Sequence, residues 1–240
     1  GELLGDDVPS SSLVFMDWLT FEDLDGETTV TTIAVTIAIE NGMIVATGAG
    51  NNGENGIVAP ADAFDVITCG AVNVNGEIGW FSSHGPTADG RIKPEVCAQG
   101  VDTYCANIDG PSSYRIASGT SLSTPLIAGA AAVILSARPS WTPYMIREAL
   151  MMTADNVENP NNQYGWGVID IMAAIDYFAL SGDVNDDAIL DVLDLVIIVD
   201  YILGIEIPTE EQLITADINN DGILDVIDLV QLVVIIIEGL

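Results

Sequence analysis

Positive charge is what this chain has least of. Five Lys and Arg stand against 36 Asp and Glu, with one His, and the formal net charge is -31. Such a surface repels phosphate backbones and anionic headgroups, which argues against nucleic-acid partners and membrane-surface binding. Long apolar runs are also missing. Leu195 to Leu203 and Leu229 to Ile237 fall short of the roughly 20 residues that a bilayer requires, so no transmembrane segment is expected. Cysteine is scarce too: Cys69, Cys97 and Cys105 lack metal-ligand spacing, and an odd number cannot pair completely within one chain. Three buried free thiols are expected, with a Cys97–Cys105 bridge as the alternative. The sequence opens at Gly1 without a Met or a basic-then-apolar leader, so the natural start and any signal peptide are expected upstream.

What the chain does have is length and apolar content: 240 residues, 49% of them hydrophobic, enough for one sizeable core and a small module. Its composition changes near the C-terminus, where residues 181–240 carry fourteen acids and no Lys or Arg. That shift places a boundary between residues 1–179 and 180–240, with almost no linker. In the first part Val30, Ile33, Ala34, Ile37 and Ala38 sit on one helical face, which outweighs the strand propensity of the many Thr, Val and Ile residues, and Asn41-Gly42 offers a C-cap. Met43 to Thr47, Val66 to Val72 and Glu95 to Ala98 read as short strands that alternate with helices, which predicts an α/β sheet. Leu122 to Ala137 is small and apolar on all sides and reads as a buried helix; Trp141 to Thr153 reads as an amphipathic one.

Gly119-Thr120-Ser121 stands immediately before the small-residue helix. A Ser there has its hydroxyl at a helix N-terminus, where free N–H groups and the dipole favour an anion. Attack on a carbonyl creates such an anion, and a side-chain amide can share in holding it. Asn51, in Ala49-Gly50-Asn51-Asn52-Gly53 after a strand, can supply that amide. Each signal alone reads equally as an N-cap and a turn.

In order along the chain, Ser10 to Leu13, Asn41 to Gly53, Val66 to Val72, Trp80 to Pro86, Lys93 to Val96, the Ser121 motif, Pro139 to Thr142 and Tyr164 to Gly167 resemble the subtilisin-like serine peptidases. The resemblance covers roughly residues 8–177. It implies a parallel sheet flanked by helices, a nucleophile at Ser121 and an oxyanion hole at Asn51. It also implies substrate-binding segments at Ser12, Leu13 and Val14 and at Gly48, Ala49 and Gly50. The family's triad runs Asp, His, Ser along the chain, and neither the Asp nor the His segment occurs here. His84 sits in a Phe-Ser-Ser-x-Gly-Pro segment, where the resemblance implies a structural or surface residue and not the base. These 240 residues are therefore expected to be the C-terminal part of the catalytic domain and inactive alone, because Ser121 has no base to activate it. Leu126 replaces a His of the family motif, with packing consequences only, and Val14 replaces a Gly, which narrows the substrate pocket.

The acidic tail is a duplication with an offset of 34: Asp183, Asn185, Asp187, Asp191 and Asp194 recur as Asp217, Asn219, Asp221, Asp225 and Asp228. Oxygen side chains at loop positions 1, 3, 5, 9 and 12, with the position-7 carbonyls of Ile189 and Ile223, are how a 12-residue loop wraps one Ca²⁺. Position 6 requires a left-handed backbone, which Gly222 adopts freely and Ala188 does not, so the first loop is expected to bind calcium more weakly. Each loop runs into an apolar helix, Val192 to Leu203 and Val226 to Ile237. The arrangement resembles a small all-α dockerin domain, which implies calcium-dependent binding to a cohesin-like domain on a scaffold or cell surface. Together the two resemblances imply a secreted serine endopeptidase acting on protein or peptide substrates. The alternative is a non-catalytic, calcium-dependent binding protein with a degenerate peptidase body.

Overall fold

A computed structural model describes residues 7–13, 19–139, 141–177, 181–219 and 221–238. The chain divides into two compact units, Gly1–Tyr177 and Phe178–Leu240. The boundary expected at 179/180, like Val14, lies outside the described residues.

The first unit is built on a parallel sheet in the order β1 (Ser10–Ser11), β2 (Ala46–Gly48), β3 (Ile67–Val72), β4 (Val96–Gln99). Every residue of β3 is buried, as expected of a central parallel strand covered on both faces. Helix α1 (Val30–Glu40) precedes β2, and α2 (Thr120–Ala137), α3 (Pro143–Met152) and α4 (Ile171–Ile175) follow β4. The long helix α2 lies across β2, β3 and β4 and buries Ile127, Ala128, Ala130, Ala131 and Ile134. Its length and apolar composition also meet the requirement for a membrane span. It is not apolar-buried all round, as its sequence suggests: Leu126 and Val133 are about half exposed at 48% and 52%.

Helix α1 forms where its spacing places it, with Thr29 as N-cap and Asn41 as C-cap, but it faces the other way. Val30, Ile33 and Ile37 are exposed, while Thr32 and Ile39 are buried and Val35, Ala38 and Met43 pack against Val45, Ala63 and Val66. A polar residue favours this orientation. The Thr32 hydroxyl donates to the buried Asp62 carboxylate at 2.7 Å, whose other oxygen accepts from Gly26 N–H at 3.0 Å. Turning the helix would take away one of that buried carboxylate's hydrogen bonds, a cost that offsets part of what burying the three aliphatic side chains would gain.

Between β4 and α2 lies a hairpin with no clear alternation in sequence, β5 (Thr103–Ala106) paired antiparallel with β6 (Tyr114–Ala117). The Tyr104 and Tyr114 rings stack at 5.1 Å, and β6 leads straight into Gly119. Beneath the sheet sits a buried ionic cluster. Lys93 Nζ donates to Glu95 Oε1 at 2.7 Å and to the Ala63 carbonyl at 2.8 Å, Arg147 donates to the same Glu95 oxygen at 2.8 Å, and Glu95 Oε2 accepts from Thr68 N–H. All three cysteines are free, Cys69 and Cys97 buried and Cys105 only partly so. The Cys97–Cys105 bridge does not form.

The second unit is helical: α5 (Val192–Ile202), α6 (Glu210–Ala216) and α7 (Val226–Glu238), with α5 packed on α7 over a core of Val184, Ile198, Ala216 and Leu232.

Candidate active site and candidate metal loops

Ser121 is the second residue of α2, exposed, after a Gly119 N-cap. Its backbone N–H is among the four at a helix start that have no partner within the helix. Thr120 ties this turn to Asn51, 69 residues away: its N–H donates to Asn51 Oδ1 at 2.9 Å and its hydroxyl to the same oxygen at 3.2 Å. With the amide oxygen held twice, Asn51 Nδ2 keeps both hydrogens for a ligand. An oxygen with two positioned donors is the arrangement that stabilises an anion beside a nucleophile.

The loop that carries Asn51 is propped from behind. Ser83 N–H donates to Gly50 O at 3.0 Å, and Ser83 Oγ accepts from Asn52 N–H at 3.0 Å. Gly50 has φ 112, and a Cβ there would lie 2.8 Å from Ser83 Oγ, so only glycine fits. Gly48, Ala49 and Gly50 are buried, and a Cβ on Gly48 would come within 3.0 Å of Thr120 Oγ1. Ser12 and Leu13 are exposed and leave the sheet after β1, whose parallel register with β2 sends them the same way as Gly48 and Ala49. All these segments lie at the carboxyl ends of the strands, where open parallel sheets carry their sites. The roles of Thr120 and Ser83 are not legible in the sequence, since each acts through a partner distant along the chain.

Among the described residues no His or Asp side chain bonds to the Ser121 hydroxyl. His84 is half-buried, with its N–H on Gly53 O at 3.1 Å and its Nε2 buried without a hydrogen-bond partner. The two buried thiols offer no rival nucleophile, because burial pushes Cys97 up to about 12 and Cys69 higher still, keeping both protonated.

The two tail loops repeat each other in most of their hydrogen bonds. Asp183 accepts from Asp187 N–H and Ala188 N–H at 3.2 and 2.8 Å, and Asp217 accepts from Asp221 N–H and Gly222 N–H at 3.1 and 2.8 Å. Asn185 and Asn219 take Asp187 N–H and Asp221 N–H, while Asp187 and Asp221 take Ile189 N–H and Ile223 N–H. Asp194 and Asp228, both fully buried, accept from Asp191 N–H and Asp225 N–H at 3.0 and 2.9 Å. Burial raises the carboxyls of Asp183 and Asp194, against the pull of those N–H groups. Ala188 is left-handed at φ 62, matching Gly222 at φ 84, and Asp186 joins it at φ 60. Among the described residues no three acidic, His or Cys side chains converge as a ready-made cage. The donor set nevertheless fits a hard cation: it is all oxygen, with buried carboxylates and no Lys or Arg in residues 181–240 to neutralise them.

The sequence pattern of the Subtilase family matches residues 19–167. The chain belongs to this family. The Dockerin type I domain pattern matches residues 181–236, so a dockerin follows the subtilase region. Subtilisin E of Bacillus subtilis (strain 168) is 38% identical over 153 residues, covering 62% of this chain and 38% of that protein. Serine protease AprX of the same organism is 34% identical over 161 residues, covering 57% of this chain and 36% of that protein. This subtilase chain thus spans less than two fifths of the length of either relative. The self-cleaved protease domain of PatA aligns with a TM-score of 0.59 at 23% identity, over 73% of this chain and 63% of that one. The prenylagaramide maturation protease PagA aligns with a TM-score of 0.58 at 25% identity, over the same shares. The subtilase fold, a parallel sheet with flanking helices, is common to this chain and both structures.

Proposed function

We propose that residues 1–179 are the C-terminal portion of the catalytic domain of a secreted serine endopeptidase, and that residues 180–240 are a calcium-dependent docking module. Ser121 attacks the scissile carbonyl, and its own N–H with Asn51 Nδ2 receives the oxyanion. Ser12, Leu13, Val14 and Gly48 to Gly50 flank the bound polypeptide. The observation that carries this reading is the pair of hydrogen bonds from Thr120 to Asn51 Oδ1, which turns the amide nitrogen outward next to the nucleophile's helix start. The base and its Asp come from outside these 240 residues.

The test is casein hydrolysis by the chain extended upstream. Activity that disappears in Ser121→Ala, and falls by about 10²–10³ in kcat in Asn51→Ala, supports the reading. An upstream sequence without Asp and His segments sinks it and favours the second reading, a binding protein with a degenerate peptidase body. That second reading draws its support from His84, the one His in the chain, which does not reach Ser121.

In the docking module, calcium is held by Asp183, Asn185, Asp187, the Ile189 carbonyl, Asp191 and Asp194, and by their counterparts Asp217, Asn219, Asp221, Ile223, Asp225 and Asp228. When bound it neutralises the loop carboxylates and fixes both helix starts. The exposed Val192, Leu193, Val226 and Ile227, just past each loop, then face a cohesin-like partner. Left-handed alanine costs about 1 kcal/mol relative to glycine, so Ala188→Gly should tighten the first loop roughly fivefold. Calorimetry on that variant checks it; an unchanged first-site affinity removes the explanation by backbone strain.

A further inference from the structure

Past Asn51 the surface opens into a pocket of about 740 Å³, lined by Asn51 itself, Glu54, Asn55, Trp80, His84 and Gln163 among others. Its walls are tied together. Gly53 N–H donates to Phe81 O at 2.8 Å, His84 N–H returns to Gly53 O, and Ile78 N–H donates to the Tyr164 hydroxyl at 3.0 Å. Three separate segments, 51–55, 78–84 and 163–164, are thereby held as one concavity that shares Asn51 with the candidate active site.

The chemistry of the lining is one-sided. Glu54 is its one formally charged residue, exposed, and without a hydrogen-bond or ion-pair partner among the described residues. Four of the five Lys and Arg are held in ion pairs elsewhere, with Asp89, Glu95 and Asp176. Trp80 is 89% exposed, an unusual condition for so large an apolar ring, and it meets Phe81 edge-on with the ring centroids 5.8 Å apart. An open indole and an unpaired carboxylate lining one pocket, rimmed by amide side chains, form a receptor for an organic cation. The surrounding negative potential of the chain adds to the attraction.

We infer that this pocket is a subsite for an arginine or lysine side chain of the bound polypeptide, with Trp80 stacking on the cation and Glu54 neutralising it. The inference rests on the peptidase reading for its biological meaning, but its test does not need catalysis. The 240-residue chain is titrated with a neutral-dye-labelled heptapeptide of small residues carrying one central arginine, and with the same peptide carrying citrulline, which keeps the shape and loses the charge. The arginine peptide should bind about fivefold tighter at low salt, and the preference should vanish at 1 M salt, where screening is nearly complete. Glu54→Gln should cut the preference to well under fivefold, leaving only what the overall charge of the chain supplies, and Trp80→Ala should weaken arginine binding, with thermal melts confirming that both variants stay folded. Equal affinity for the two peptides, no measurable binding of either, or a preference that Glu54→Gln leaves undiminished overturns the subsite. None of these results bears on Ser121, whose role stands or falls on the hydrolysis assay.

Discussion

Glu95→Gln should destabilise the first unit by about 3–5 kcal/mol, because it leaves the Lys93 ammonium buried without its counter-charge. Lys93 is fully buried and Glu95 is 1% exposed, so water cannot stand in for the missing carboxylate. Burial alone raises the Glu95 carboxyl, yet the charges of Lys93 and Arg147 and their hydrogen bonds outweigh it and hold the group below its ordinary range. Burial pulls Lys93 down to about 8 despite the attraction of Glu95. The signs follow by linkage. A depressed carboxyl contributes stability that is present above its unfolded value near 4.5 and is lost as pH falls through the lower folded value. A depressed ammonium makes the folded state gain stability as pH rises from about 8 towards 10.5. The Glu95→Gln deficit should therefore shrink as pH rises towards 8 and level off above it, because without the attraction of Glu95 the buried Lys93 gives up its proton at a lower pH than it does in the intact cluster. All four Trp lie in residues 1–177, so the fluorescence melt reports this unit alone. A deficit below 1 kcal/mol, or one that does not change with pH, would show that the cluster is not held by charge. Replacing Lys93 and Glu95 together by Met and Gln should recover much of the loss.

The readings that survived contact with the structure rest on local chemistry. The tail loops were legible because each carboxylate bonds to N–H groups within ten residues of itself, so spacing in sequence is spacing in space. Strand β3 was legible because it is buried along its whole length, which favours small and apolar side chains, with Thr68 admitted because its hydroxyl donates to the Ala61 carbonyl. Helix α1 was legible as a helix but not in its orientation. Its spacing favours the face of Val30, Ile33 and Ile37, but those residues are exposed and the buried face is the one where Thr32 reaches Asp62, thirty residues away. The hairpin β5–β6 was missed because its four-residue strands alternate only weakly and its pairing partner lies beyond a Ser- and Gly-bearing loop. In the candidate site, Ser121 and Asn51 were readable as motifs, whereas Thr120, the residue that joins them, was not. The same holds for the ionic cluster: Lys93 and Glu95 sit in one short motif, but Arg147 arrives from α3, 52 residues later. What a sequence conceals here is the polar contact that closes over distance.

Removing calcium should melt the second unit at neutral pH and leave the first untouched. The unit has a small core, four fully packed side chains supported by half-buried neighbours, and fourteen acids with no Lys or Arg. Burying Asp183, Asp194 and Asp228 without a cation works against that core, since uncompensated buried carboxylates are costly. A site filled at a hundred times its dissociation constant adds about 2.7 kcal/mol, and two such sites exceed what this core can supply alone. Chelation with EDTA should therefore abolish most of the far-ultraviolet helix signal from α5 and α7, while the tryptophan melt of the first unit stays where it was. Acid gives an independent check with the opposite sign. In the metal-free unit burial raises the Asp183 and Asp194 carboxyls, so the folded form binds more protons than the unfolded one, and its stability grows as pH falls into their range and is lost as pH rises through it. The calcium-free unit should regain helix on mild acidification, just where the calcium-loaded unit weakens as protons compete for the same oxygens. If helicity at neutral pH is indifferent to EDTA, or if acid unfolds both forms alike, the carboxylates are solvated surface charge and the loops do not hold calcium.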